Sequence, residues 1–134
     1  MSDLSFKERL QYLIDTNFIN DLDIHYTNEI AINGFLFNKC DEHIIDEKGT
    51  RLINFYILQI HPNGHYNFYK CVSYTYNVIE SIKSCDRVSF INCEGKIIYR
   101  GNGLYEMQVN ACVVSHTFPD LALGEYFNRT PKYK

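Results

Sequence analysis

Tryptophan is absent from the 134 residues, so any role for a large aromatic falls to the eleven tyrosines and nine phenylalanines. The five cysteines (Cys40, Cys71, Cys85, Cys93 and Cys112) include no Cys-x-x-Cys pair and are odd in number. They read as reduced core thiols of a cytosolic protein rather than a disulfide framework or a zinc site. No signal peptide and no apolar run of membrane-spanning length is present, so no membrane association is expected. The chain lacks a phosphate-binding Walker loop and a dinucleotide-type glycine pattern. His61 and His65 flank a turn without further ligands nearby, His43 sits in an acidic loop beside Asp41 and Glu42, and His25 and His116 stand alone. Neither metal, cofactor nor catalytic centre is expected from these patterns. Finally, a net charge of −3 lacks the cationic surplus of a protein that coats duplex DNA.

What remains describes one small domain. A length of 134 residues and a hydrophobic content of 46% suffice for a core without staples. The charge is uneven. Residues 1–26 set Lys7 and Arg9 against Asp3, Glu8, Asp15, Asp21 and Asp23, and the acidic loop adds Asp41, Glu42, Asp46 and Glu47. From Gly49 onward nine basic residues face six acidic ones, so an acidic whole can still present one basic groove. Eleven tyrosines exceed what a core of this size needs. A tyrosine hydroxyl can be hydrated, so several are expected on an exposed face.

Residues 2–20 read as a helix with a capping box at Ser5 and Glu8, a possible staple at Leu4, and an apolar stripe of Phe6, Leu10, Leu13, Ile14 and Phe18. The stripe must bury against one end of the domain or against a partner. A first strand follows from Ile30, where Gly34 marks a bend. The second runs from Arg51 to His61, with Ile53, Phe55 and Ile57 on the core side and Tyr56 facing away. Pro62-Asn63-Gly64 is a hairpin turn. The third strand, Phe68 to Tyr74, places Phe68, Lys70, Val72 and Tyr74 on one side by alternation. Val78, Ile79 and Ile82 then have helical spacing, and Asp86-Arg87 ends that helix. A fourth strand reaches Tyr99-Arg100, Gly101-Asn102-Gly103 turns it, and a fifth covers Leu104 to Ser115, with the sheet ending at Phe118-Pro119. A helix between the third and fourth strands predicts a mainly β chain folded as a five-stranded OB-fold barrel with an added N-terminal helix. The expected divisions are an N-terminal helical extension (1–26), the barrel (27–118) and a C-terminal tail (119–134).

Several stretches resemble the bacterial and phage single-stranded DNA-binding protein family. Asn28-Glu-Ile-Ala-Ile-Asn-Gly34-Phe-Leu is similar to that family's opening strand, and Gly49 followed by Asn54-Phe55-Tyr56-Ile57-Leu58 to its second. Phe68-Tyr-Lys-Cys-Val-Ser-Tyr74 resembles its aromatic third strand, and Glu94-Gly95-Lys-Ile its fourth. The resemblance spans Asn28 to Ser115. It implies a tail-less member with an N-terminal extension, since residues 1–27 precede the first strand and the chain finishes Pro131-Lys-Tyr-Lys rather than in an acidic tail. A phage, plasmid or mobile-element origin fits that description.

The resemblance places Phe68 and Tyr74 at base-stacking positions and Lys70 at a phosphate contact. The pattern of strands adds Tyr56 on the outward side of the second strand, and Tyr99 and Arg100 where the fourth strand enters its turn. Arg51, Lys96 and Tyr66 are weaker candidates. Aromatics that stack on unpaired bases, beside cations that track phosphates, are the chemistry of single-strand binding. The expected partner is single-stranded DNA, with RNA also open, and the expected assembly a homodimer or homotetramer in the cytoplasm. A non-enzymatic role in replication, recombination or repair follows. The competing reading is an OB-fold protein-interaction module that holds a partner through its N-terminal helix and binds nucleic acid weakly or not at all.

Overall fold

Side chains two residues apart supply most of the core. In the computed structural model, which describes residues 5–16, 27–39 and 42–127, Ile32 and Leu36 point inward from β1 (Ile30–Lys39). Ile53, Phe55 and Ile57 do the same from β3 (Arg51–Ile60), and Cys71 from β4 (Tyr66–Ser73). Ile91 and Cys93 of β5 (Arg87–Gly101), with Met107 and Val109 of β6 (Leu104–Ala122), complete the strand layer. The open end is plugged by α2 (Tyr76–Ser84), whose Val78, Ile79 and Ile82 are all buried, as their spacing predicts. Leu123 of the short α3 (Leu123–Tyr126) seals another side. Cys71, Cys85 and Cys93 are buried free thiols and Cys112 a half-buried one; burial pushes the Cys71 thiol up. Cys40 lies outside the described residues.

The strands close on themselves. Going round, β1 pairs with β3, β3 with β4, β4 with β6, β6 with β5, and β5 with β1 again. All these pairs are antiparallel except β4–β6, which runs parallel through Cys71↔Met107 and Val72↔Gln108. β1 serves both halves: its first part pairs with β5 up to Phe35, and from Phe35 onward it pairs with β3. The crossing point explains Gly34. A Cβ there would stand 2.7 Å from both Ile57 Cγ2 and the Leu58 carbonyl oxygen.

Three details depart from the sequence expectation. A sixth strand, β2 (His43–Ile44), pairs with β3. It forms because Asp46 turns the acidic loop back, accepting from the Lys48 and Thr50 amides and the Thr50 hydroxyl. Those bonds, the Thr50 pair foremost, hold the Asp46 carboxyl below the usual range. Second, β6 does not stop at Phe118-Pro119 but continues to Ala122. Pro119 falls where the β5–β6 register shifts, between Ser89↔Thr117 and Arg87↔Ala122, so the missing N–H leaves no ladder bond open. Third, Val72 is buried, unlike Phe68 and Lys70, which share its side of β4 by alternation.

The N-terminal helix α1 (Phe6–Asp15) has the expected capping box, with Ser5 Oγ accepting from the Glu8 amide and Glu8 Oε1 accepting from the Ser5 amide. Its Phe6, Leu10, Leu13 and Ile14 are all exposed, so among the described residues no end of the barrel covers them. Leu4 and Phe18 lie outside the described residues.

An unforeseen element is Lys39, 5% exposed at the end of β1. Its ammonium donates to the carbonyl oxygens of Ile82 (2.9 Å) and Lys83 (3.0 Å), and to that of Cys85. It thereby caps the C-terminus of α2, where the helix dipole favours a cation. Lys39→Met keeps the stem and orphans the carbonyls. A stability loss of about 2 kcal/mol is expected, read as a lower urea midpoint at unchanged slope.

Candidate nucleic-acid interface

The outward faces of β1, β3 and β4 carry a continuous aromatic patch. Register sets it: Tyr56 stands opposite Lys70, Leu58 opposite Phe68 and Ile60 opposite Tyr66. Phe68 is the hub. The rings of Phe37, Tyr56 and Tyr66 approach it with centroids 4.8, 5.7 and 5.8 Å away and planes 71–90° apart. Edge-on packing of this kind stabilises the cluster without covering it. Phe68 remains 42% exposed and Tyr66 62%. Behind Phe37 the patch continues through Phe127 to Phe35.

Two cations, Lys70 of β4 and Arg100 of β5, converge on Glu106 of β6. Lys70 Nζ is 3.6 Å from Glu106 Oε2, and Arg100 Nε donates to Glu106 Oε1 at 2.5 Å. Glu106 reaches both because β4 and β6 are neighbours and Glu106 pairs with Ile98, two residues before Arg100. The bond to Glu106 holds the Arg100 guanidinium above its ordinary value, with a smaller push from the Tyr74 hydroxyl. Tyr74 itself is exposed at the end of β4. A pocket of about 180 Å³ joins Phe68 and Lys70 to Tyr105 and Glu106. Beyond it the β5–β6 hairpin raises Tyr99 and Tyr105, centroids 5.1 Å apart, with the Tyr99 hydroxyl accepting from the Gly103 amide. Three successive residues with positive φ, Gly101, Asn102 and Gly103, make that turn.

Tyr56, Phe68 and Lys70 are thus adjacent, Tyr66 joins them, Arg100 is connected to Lys70 through Glu106, and Tyr74 meets Arg100. Tyr99 lies at the hairpin rim. Arg51 is drawn elsewhere: it pairs with Glu42 and with Glu80 at 2.7 Å and lies 5.3 Å from the centre of the Tyr76 ring. There it ties the β2 loop to α2, with Lys83 pairing to the same two carboxylates. Lys96 is exposed on β5 opposite Gln108.

No family model matches the chain, and no curated protein does. Solved structures do. The mitochondrial single-stranded DNA-binding protein Rim1 of S. cerevisiae superposes with a TM-score of 0.61 at 14% identity, over 70% of this chain and 99% of that one. The SSB domain of a Synechococcus protein gives 0.54 at 11% identity, over 66% and 97%. The dimeric N-terminal domain of PriB from Thermoanaerobacter tencongensis gives 0.52 at 11%, again over 66% and 97%. The likeness is one of fold. This chain is an OB barrel.

Within the OB barrel, residues that sequence reasoning passed over complete the patch. Phe35 and Phe37 alternate with the core residue Leu36, a period-two signal legible once the strand is carried past Gly34. Tyr105 could have been paired with Tyr99 from the hairpin turn alone, since the two are register partners. Glu106 had no local signal, because its contacts depend on the parallel β4–β6 seam. Among the described residues, no helix is long and apolar enough to cross a membrane.

Proposed function

We propose that the protein binds single-stranded DNA without regard to sequence, by stacking bases on Phe68, Tyr56 and Tyr66 and by contacting phosphates with Lys70 and Arg100. The observation that carries this is the Phe68 hub, an exposed aromatic held edge-on by three rings beside a register-placed lysine. Each stacked base contributes about 1–3 kcal/mol, so two or three platforms outweigh a modest acidic net charge. The fold-level likeness to single-stranded DNA-binding proteins supports the same reading. The protein then acts in replication, recombination or repair in the cytoplasm of a bacterium or its mobile elements, as a dimer or tetramer.

The test is fluorescence anisotropy of a labelled oligo-dT of about 30 nucleotides across a salt series, with a duplex control and an oligo-rU arm. Tight binding that weakens with salt and ignores the duplex is expected; no binding at low salt overturns the proposal. A second reading, a protein-interaction module, is favoured by one observation: Phe6, Leu10, Leu13 and Ile14 of α1 are uncovered. On that reading, deleting residues 1–20 abolishes self-association or partner contact, measured by light scattering, and oligo-dT does not bind.

A further inference from the structure

Glu106 is the acidic residue in the middle of the candidate site, and its placement is unusual for a binding face. Its side chain is only 9% exposed, while the two cations it holds are far more open, Lys70 at 48% and Arg100 at 43%. Each carboxylate oxygen takes one cation, Oε1 from Arg100 and Oε2 from Lys70. A phosphodiester offers the same thing: two non-bridging oxygens sharing one negative charge. The same cations that would grip a phosphate therefore converge, in the unbound chain, on an anion of matching shape. The two contacts differ in strength. Arg100 is hydrogen-bonded at 2.5 Å, whereas Lys70 at 3.6 Å is an ion pair without a hydrogen bond. The Lys70 ammonium can therefore swing to solvent with little loss, while Glu106 stays beneath it.

We propose that Glu106 is an internal stand-in for a backbone phosphate, which occupies Lys70 and Arg100 in the free protein and restrains their grip on a single strand. The inference rests on the single-strand reading above and assigns the regulation of that site. A nucleic acid phosphate must share or replace the carboxylate, and the site offers it a net charge of one unit where the two cations alone would offer two. The consequence is moderated affinity and a shallower salt dependence, both suited to a protein that must leave the strand it covers.

Glu106→Gln tests this, since it keeps the shape and one hydrogen-bond acceptor and removes the charge. Anisotropy with labelled oligo-dT should show about 3- to 30-fold tighter binding at low salt than the unaltered protein. The plot of log affinity against log salt should steepen by about 0.7, the increment for one further phosphate contact on a single strand. Glu94→Gln, the same charge change on the outer face of β5 opposite Ala31 and Ala111, should leave both quantities near their original values. Should Glu106→Gln melt early, Glu106→Met, which keeps the length without charge, is read in its place. Equal or weaker binding by a folded, uncharged variant, while the unaltered protein binds, overturns the stand-in and leaves the binding function intact. Absence of binding by unaltered and variant proteins alike overturns both. Binding by the uncharged variant alone, with none by the unaltered protein, overturns the single-strand function and with it a restraint that only moderates affinity.

Discussion

Gly95→Ala is expected to lower the stability of the protein more than any surface substitution. Gly95 sits at a register shift in β5, opposite Val109 of β6. A Cβ built there would fall 1.9 Å from the Gln108 carbonyl oxygen, 2.8 Å from its carbon and 3.0 Å from the Val109 Cα. All three are backbone atoms, so no rotamer change relieves the overlap. The β5–β6 ladder must separate locally, and it is the longest pairing in the barrel, running from Arg87↔Ala122 to Gly101↔Leu104. Overpacking that side chains can absorb costs about 1–3 kcal/mol. Backbone that cannot yield should cost more, so a loss above about 3 kcal/mol is expected, a large part of the roughly 5–15 kcal/mol available to a domain. Gly124→Ala is the control. Nothing lies within 4 Å of its would-be Cβ, and in the helical turn of α3 alanine should be neutral or stabilising by up to about 1 kcal/mol. Urea melts of the two variants side by side decide the matter. A Gly95→Ala midpoint within error of the unaltered protein would mean that β6 moves aside at no cost.

The same comparison shows what a sequence can carry. The features legible beforehand are those written within a few residues. The α2 face of Val78, Ile79 and Ile82 follows from helical spacing. The Ser5–Glu8 capping box and the two glycine-marked turns follow from local backbone chemistry. Gly34 announced a bend, and the ordered strand–helix–strand pattern announced the barrel. What stayed hidden depends on closure. Lys39 looks like an ordinary strand-end cation until β1 is laid against the C-terminus of α2. Arg51 looks like a groove cation until the fold brings Glu80 to it from 29 residues away. Glu106 has no meaning before β4 and β6 lie parallel. The aromatic positions were easier than the charged ones for a physical reason. Alternation along one strand decides whether a ring faces out, whereas the partner of a charge is chosen by another strand altogether.

That asymmetry frames the largest expected effect on binding. The double variant Tyr56→Ala/Phe68→Ala removes the hub and the ring opposite Lys70 in the β3–β4 register. If each ring carries one base, the loss is about 2–6 kcal/mol, roughly 30-fold to more than 10⁴-fold in affinity for oligo-dT. Folding should survive, because Phe68 is 42% exposed and its neighbours meet it from the outer face. Phe55→Ala in the core, by contrast, should cost about 3–5 kcal/mol of stability, since that ring is fully buried. Salt separates stacking from charge. Stacking releases no counterions, so the aromatic variant should bind more weakly by the same factor at every salt concentration, with an unchanged slope. Lys70→Glu should instead lose most at low salt and flatten the slope. If removal of the two rings leaves affinity intact, or changes the slope as a lost cation would, the patch is packing and bases are held elsewhere. The Tyr99–Tyr105 pair on the hairpin would then be the next aromatic platform to truncate.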